Sequence, residues 1–254
     1  MDLTPLPSFR LDGRRALVTG GGGGIGFAAS SALSQAGAHV TVADIVQEGA
    51  ERTAAALREH GGSAETLLLD VTDVEAVRSA VAAAAPFDIL VNNAGTNRPA
   101  PMVDVKVEDF DHVMGLNVRA AFFVAQAVAR RLIAAKRSGS IVNISSTMGH
   151  VGMPTRAVYS ASKHAVEGFT KVMGIELAPY GIRVNTISPT FVETPMSKKF
   201  FANKAFYDEV VAKIKFGRLG RLEEVAAAIV FLASDASSLM TGTSMLLDGG
   251  WTAD

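Results

Sequence analysis

Short runs of aliphatic and β-branched residues recur along the chain, each followed by a longer Ala-rich stretch. In those stretches apolar positions return every three or four residues, the period of a helix with one buried face. The runs at 16–19, 40–43, 66–69, 89–92, 141–144, 183–187 and 244–247 predict seven strands. Most are continuously apolar rather than alternating, the mark of strands covered on both faces, as in a parallel sheet. Between them the helical period predicts helices over 24–35, 47–60, 74–84, 107–136, 157–178 and 222–232. Asp73 stands where an N-cap belongs, and Gly37 where a helix C-terminus needs a left-handed residue. The βαβ alternation predicts an α/β fold: one doubly wound domain over 1–254, with helices on both faces of a parallel sheet.

The alternation breaks once, over residues 188–220. That stretch carries Pro189, Pro195, the pair Phe200 and Phe201 and five lysines. An ordered insertion of this length reads as a loop-plus-short-helix lid, residues 189–220; a solvated surface excursion is the plainer alternative.

Composition narrows the classes. The 254 residues are 48% apolar and 19% charged, enough to bury a large core. There is no cysteine, which excludes a disulfide scaffold and thiolate metal sites. The formal charge of −1 carries no footprint for nucleic acid. Residues 1–15 lack the apolar core of a secretory signal, and the longest uninterrupted apolar run spans nine residues, 225–233. A soluble, cytoplasmic protein with no membrane or nucleic-acid partner is the expectation. The five histidines form no metal-spaced pair on one helix, so no metal site is expected.

Glycine is not spread evenly: six of the 24 fall between Gly20 and Gly26, directly after the first predicted strand and at the start of a helix. Glycine there lets the backbone turn and approach a pyrophosphate, while the helix N-terminus supplies N–H donors. A merely flexible turn fits the run as well; a Walker loop does not, because no Gly-Lys-Ser/Thr follows. Asp44 ends the second strand, where a carboxylate can accept from the adenosine ribose and would repel a 2′-phosphate. No Arg or Lys lies in the loop or beside Asp44, which favours NAD over NADP. Asp70, at the end of the third strand, is placed to face the adenine or to cap the next helix.

Tyr159 and Lys163 are four apart at the head of a predicted helix and share one face. Ser146 ends the fifth strand, and Asn117 lies in the helix before it. With these positions the chain resembles the short-chain dehydrogenase/reductase family over about residues 11–251. The motifs are Thr19-Gly20-x-x-x-Gly24-Ile25-Gly26, Asn92-Asn93-Ala94-Gly95, Asn117, Ser146, Tyr159-x-x-x-Lys163 and Asp248-Gly249-Gly250. The resemblance implies a sheet ordered 3-2-1-4-5-6-7, a nicotinamide cofactor and a homotetramer paired through its long helices and its last strand and helix. It implies cofactor contacts from Gly20, Gly24, Ile25, Gly26, Asp44, Asp70, Val71, Asn93, Ala94, Gly95, Tyr159, Lys163, Pro189 and Thr194. The family usually has Pro-Gly after the sixth strand; here it is Pro189-Thr190, which puts the loop geometry there in question.

The resemblance also assigns chemistry. Tyr159 is the general acid/base for the alcohol proton, Ser146 holds the substrate oxygen, and Asn117 extends a proton relay through water. A free tyrosine has a pKa near 10, and lowering it by about 3 units needs roughly 4 kcal/mol. A lysine cation at ~4 Å in an effective dielectric of ~20 supplies about that much, so Lys163 is expected to activate the phenol.

Around this centre Met148, Phe191 and Met196 are expected on the apolar side of a substrate pocket. His150, Arg98 and Glu193 are expected at its rim. That mixture suits sugars, polyols, sugar acids or small hydroxy acids. The basic cluster of Arg130, Arg131, Lys136 and Arg137 either complements a helix C-terminus or docks an acidic carrier protein. A 3-oxoacyl-carrier-protein reductase is therefore an alternative, as is a non-catalytic dinucleotide sensor.

Overall fold

Seven parallel strands form one sheet in this computed structural model, which describes residues 6–194, 197–198 and 201–253. They are β1 (Arg15–Thr19), β2 (His39–Asp44), β3 (Ser63–Leu68), β4 (Ile89–Asn92), β5 (Gly139–Ile144), β6 (Ile182–Pro189) and β7 (Ser244–Leu247). Their order is β3-β2-β1-β4-β5-β6-β7. The order reverses beside β1, so a crevice opens at the C-terminal ends of β1 and β4, the place where open α/β sheets bind ligands.

Alternate side chains of each strand enter opposite layers, as the two-residue period of a strand requires. Val18, Val42, Val91 and Val142 pack under α1 (Gly24–Gln35), α2 (Gln47–Glu59) and α8 (Leu222–Ala233), with Leu33, Leu57, Ile229 and Leu232 opposite them. Leu17, Leu90, Ile141 and Val184 face α3 (Val74–Ala83) and α5 (Ala121–Ala134), meeting Val77, Val81, Val124, Val128 and Leu132. The remaining helices are α4 (Val107–Met114), α6 (Ala157–Leu177) and α7 (Lys204–Lys213). A third, smaller apolar cluster joins α7 to Met148, Leu219 and Trp251 above the strand ends.

Local signals hold at several helix ends. Asp73 caps α3 by accepting from the N–H groups of Glu75 and Ala76, each at 3.0 Å. Gly37, after α1, has φ +105°, the left-handed conformation that closes a helix without a Cβ penalty.

Two elements differ from expectation. β3 starts at Ser63 rather than 66, and four of its six residues are exposed, two on each face. It is the sheet edge, so a polar strand is tolerated there, and its apolar content does not mark where it begins. The helix expected over 107–136 is three pieces: α4, a π turn at Gly115–Ala120, and α5. By length and composition alone Val107–Ala134 could span a bilayer. Here Val113, Asn117, Val124, Val128 and Leu132 are buried against the protein, as in a core helix.

The insertion is anchored at its base. Val192 bridges Gly220 in parallel, with Glu193 N donating to Gly220 O and Gly220 N to Phe191 O, both at 2.9 Å. Phe191 stacks on Trp251 at 5.9 Å and meets Phe201 and Phe206 edge to face. Met196 and Phe200 lie outside the described residues.

Candidate active site

The glycine run turns from β1 into α1 beside Asn93. Gly20 has φ +62°, and a Cβ on Gly26 would collide with the Gly20 carbonyl oxygen, so neither position accepts a side chain. Asn93 Nδ2 donates to the carbonyls of Thr19 and Gly20, both at 3.0 Å, and Thr19 Oγ1 accepts from the N–H groups of Asn93 and Ala94. The Asn92-Asn93-Ala94-Gly95 turn is thus a brace for the loop. Asp44 closes the other side: Oδ2 accepts from Gly22 N and Oδ1 from Val46 N, each at 2.9 Å. Beyond Gly23 and Gly24 the space is open, apart from Thr194 Cγ2 at 3.9 Å from where a Gly24 Cβ would stand. An N–H-lined hollow at a helix N-terminus, edged by a carboxylate, fits a dinucleotide pyrophosphate and ribose.

Other expected cofactor residues are placed less decisively. Val71 is buried, while Asp70 is exposed and accepts from Thr72 N and Oγ1 at 2.9 and 2.7 Å, as a turn-capping residue does. Thr194 lies over the glycine loop, and its hydroxyl accepts from Ser197 N at 3.0 Å. Pro189 ends β6. Thr190 N donates to Leu247 O at 3.0 Å, so the loop keeps its strand register despite the missing glycine. The Thr190 hydroxyl is buried with no partner among the described residues.

Ser146, Tyr159 and Lys163 come together. Ser146 leaves β5 in extended conformation and its hydroxyl accepts from Met148 N at 3.2 Å. Tyr159, in the first turn of α6, is half-buried, and the Ser146 hydroxyl favours its phenolate form. Lys163 Nζ, one turn on, donates to Ile144 O at 2.8 Å and sits 5.6 Å from the centre of the Tyr159 ring.

Burial acts on both titratable groups of the centre. It pushes the Tyr159 phenol up; the Ser146 hydroxyl and the nearby Arg156 charge oppose that. Burial likewise lowers the Lys163 ammonium to about 8, and the Glu167 carboxylate partly restores it. Lys163 therefore bears part of the desolvation itself, and Arg156 adds a second cation whose charge acts on Tyr159.

Asn117 sits in the π turn with 2% exposure. Its Oδ1 accepts from Thr96 N at 2.8 Å, and its Nδ2 donates to Thr96 O and Ser162 Oγ at 2.9 and 3.1 Å. All three contacts are struts between distant segments, so the side chain braces the turn after Gly95.

Of the expected substrate residues, Met148 and Phe191 share one apolar cluster with Tyr159. His150 does not join them as a free ligand. Its Nε2 lies 3.2 Å from Ser188 Oγ, 3.1 Å from Ser244 Oγ and 3.4 Å from Glu167 Oε1, a polar cluster between α6 and the β6–β7 edge. Arg98 is exposed, with Nε 3.8 Å from Asp109 Oδ1, and the Glu193 side chain is exposed as well. Arg137 is ion-paired at 2.6 Å with the buried Asp88, so the basic cluster is partly structural. No group of metal-ligating side chains occurs among the described residues.

Sequence reasoning missed Trp251, Glu167 and Arg156. Trp251 reaches the site only through tertiary packing, whereas Glu167 lies four residues past Lys163 on the same helix face, a spacing visible in the sequence. Arg156 had a local signal: a cation at the N-cap of a helix, where the dipole disfavours it and Ser, Thr, Asn or Asp is the usual choice.

A family model described as enoyl-(acyl carrier protein) reductase matches residues 21–252. Gluconate 5-dehydrogenase of Gluconobacter oxydans is 40% identical over 248 residues, covering 96% of each chain. D-threitol dehydrogenase of Mycolicibacterium smegmatis is 41% identical over 248 residues, covering 96% of this chain and 95% of that one. Among solved structures, gluconate 5-dehydrogenase of Burkholderia cenocepacia, in complex with NADP and tartrate, superposes with a TM-score of 0.93. It is 40% identical, covering 98% of this chain and 99% of that one.

Proposed function

The chain belongs to the short-chain dehydrogenase/reductase family, and from that premise we propose that it is a cytoplasmic, NAD-dependent dehydrogenase of small polar secondary alcohols. Sugars, polyols, sugar acids and hydroxy acids form the substrate class. The observation that carries the reading is Lys163 held 5.6 Å from the Tyr159 ring at the head of α6, with Ser146 just past β5 and the glycine-loop hollow just past β1, at the C-terminal edge of the same parallel sheet.

A nicotinamide bound at the loop would supply the hydride acceptor for oxidation and the hydride donor for reduction. The residues of the chain handle the proton and the oxygen. Ser146 donates to the substrate oxygen and steadies its developing charge, and Tyr159 takes the hydroxyl proton or gives it back. Lys163 would hold the cofactor ribose, and its charge favours the phenolate. A relay from Lys163 past Asn117 runs through water and the Asn117 backbone, because the amide side chain is already bonded to Thr96 and Ser162. Residues 189–220 act as the lid, with Phe191, Phe201 and Phe206 closing the apolar wall.

NAD is preferred over NADP on the strength of Asp44. Its carboxylate is held at the loop by two N–H groups, and the next residues, Ile45 and Val46, are exposed and apolar where a 2′-phosphate would need cations. The Burkholderia relative holds NADP, so the preference rests on this chain's own residues. Val172 and Ile175 on α6 and Leu246 on β7 are exposed apolar side chains. They support self-association into a homotetramer.

A 3-oxoacyl-carrier-protein reductase is the second reading, supported by a relative of that name at 42% identity. Asp44 weighs against it, since that activity normally uses NADP. A panel of polyols, sugars, sugar acids, hydroxy acids and an acetoacetyl thioester, followed by NADH and NADPH absorbance, tests both. Turnover of a polar alcohol with NAD supports the first reading. Turnover confined to the thioester with NADPH replaces it with the second.

A further inference from the structure

Two consecutive residues at the head of α6 contradict local preference. Thr155 has φ +64°, a left-handed conformation that a β-branched residue rarely adopts. Arg156 then occupies the N-cap, makes no capping hydrogen bond, and no acidic residue follows in the first turn. A cation there opposes the helix dipole, and leaving the N-terminus uncapped forgoes a stabilising bond. Strain and rule-breaking of this kind persist where surrounding structure enforces them, most often at functional sites.

The enforcement is visible. Thr155 O accepts from Ala100 N at 3.1 Å, tying this turn to the segment that carries Asn97 and Arg98. Arg156 Nη1 donates to Thr155 Oγ1 at 3.0 Å, its one hydrogen bond to a side chain. Arg156 is half-buried, and no carboxylate pairs with it among the described residues. Partial burial costs a guanidinium solvation, and its remaining donors fit a planar carboxylate in fork geometry. Arg156 stands three residues before Tyr159 at the head of α6, a spacing that makes side chains neighbours on a helix surface, and its charge acts on the phenol.

We propose that Arg156 anchors an anionic group of the substrate, so that the site selects a sugar acid over the corresponding neutral polyol. The inference rests on the dehydrogenase reading above and refines it. With the carboxylate held at Arg156, a secondary hydroxyl further along the chain of a sugar acid reaches Ser146 and Tyr159. Arg98, tethered through Ala100, stands beside the same turn but leans on Asp109.

The test compares gluconate with glucitol, oxidised with NAD by the parent, Arg156→Gln and Arg156→Lys. The reading is the ratio of the two kcat/KM values within one preparation, so the fraction of folded enzyme cancels. The parent is expected to favour gluconate, and Arg156→Gln to reduce that ratio about ten- to hundredfold, mainly through KM for gluconate. Arg156→Lys keeps the charge without the fork and should fall between them. An unchanged ratio in Arg156→Gln, or an equal loss on both substrates, overturns the proposal. A parent that oxidises glucitol but not gluconate also overturns it, while the dehydrogenase reading stands. If neither these nor any other polar alcohol is oxidised, that wider reading fails too.

Discussion

The ammonium of Lys163 donates to the Ile144 carbonyl at 2.8 Å and lies 5.6 Å from the centre of the Tyr159 ring. The pair is thus held by the sheet as much as by the helix: β5 supplies the acceptor that orients the lysine. Lys163 is 6% exposed, and burial lowers its pKa from 10.5 to about 8. A charge that is costly to bury is retained beside the residue that moves the proton.

That cost predicts how stability depends on pH. Between about pH 8 and 10.5 the folded chain binds fewer protons at Lys163 than the unfolded chain. Stability of the parent therefore rises with pH across this window, by up to about 3 kcal/mol from this group. Lys163→Met lacks the contribution. Urea unfolding of both proteins at pH 7.5 and near pH 10 should show the variant's relative stability falling as pH rises. A difference that stays flat would mean that the lysine is not desolvated as described.

Glu167 is the counter-charge. It is buried, its oxygens accept from Thr186 Oγ1 and Ser188 Oγ at 2.9 and 2.8 Å, and its charge raises Lys163. In Glu167→Gln the amide oxygen can still accept, but the charge is gone and the Lys163 pKa falls further. The alkaline limb of the kcat/KM profile should move to lower pH. An unmoved limb in a folded variant would show that Glu167 is only a structural acceptor.

Asn117→Ala should destabilise the chain by about 3 kcal/mol, since Thr96 N–H and C=O and the Ser162 hydroxyl lose a buried partner. Turnover should fall with it, because the turn that borders the cofactor is no longer braced. Urea unfolding checks the first effect and kcat the second; full stability in the variant would contradict the strut role.

Much of this architecture is written locally. The aliphatic run of β4 and the glycines before α1 stand where their own chemistry predicts, and so does Asp73 at the start of α3. The π turn at 115–120 is not local: an otherwise regular helical pattern is interrupted where Asn117 is drawn to Thr96, a contact across 21 residues. His150 illustrates the same limit. Its position after Ser146 suggests the pocket mouth, but Ser188 and Ser244 claim its imidazole from strands far along the chain. Arg156 and Thr155 are the opposite case, local oddities whose meaning emerges only beside Tyr159.

Asp44→Ala should shift the cofactor preference. Removing the carboxylate from the loop edge takes away the repulsion of a 2′-phosphate, and the NAD:NADP ratio of kcat/KM should drop about tenfold or more. Parallel kinetics with both cofactors decide it; a parent that already prefers NADP refutes the role given to Asp44.

The most direct test of the account is Tyr159→Phe, assayed with NAD on an alcohol that the parent oxidises, alongside NADH binding by fluorescence. Loss of the phenol should lower kcat by about a hundred- to ten-thousandfold while NADH still binds, because the glycine loop, Asn93 and Asp44 are untouched. A variant that turns over as fast as the parent would contradict proton transfer by Tyr159, and with it the mechanism.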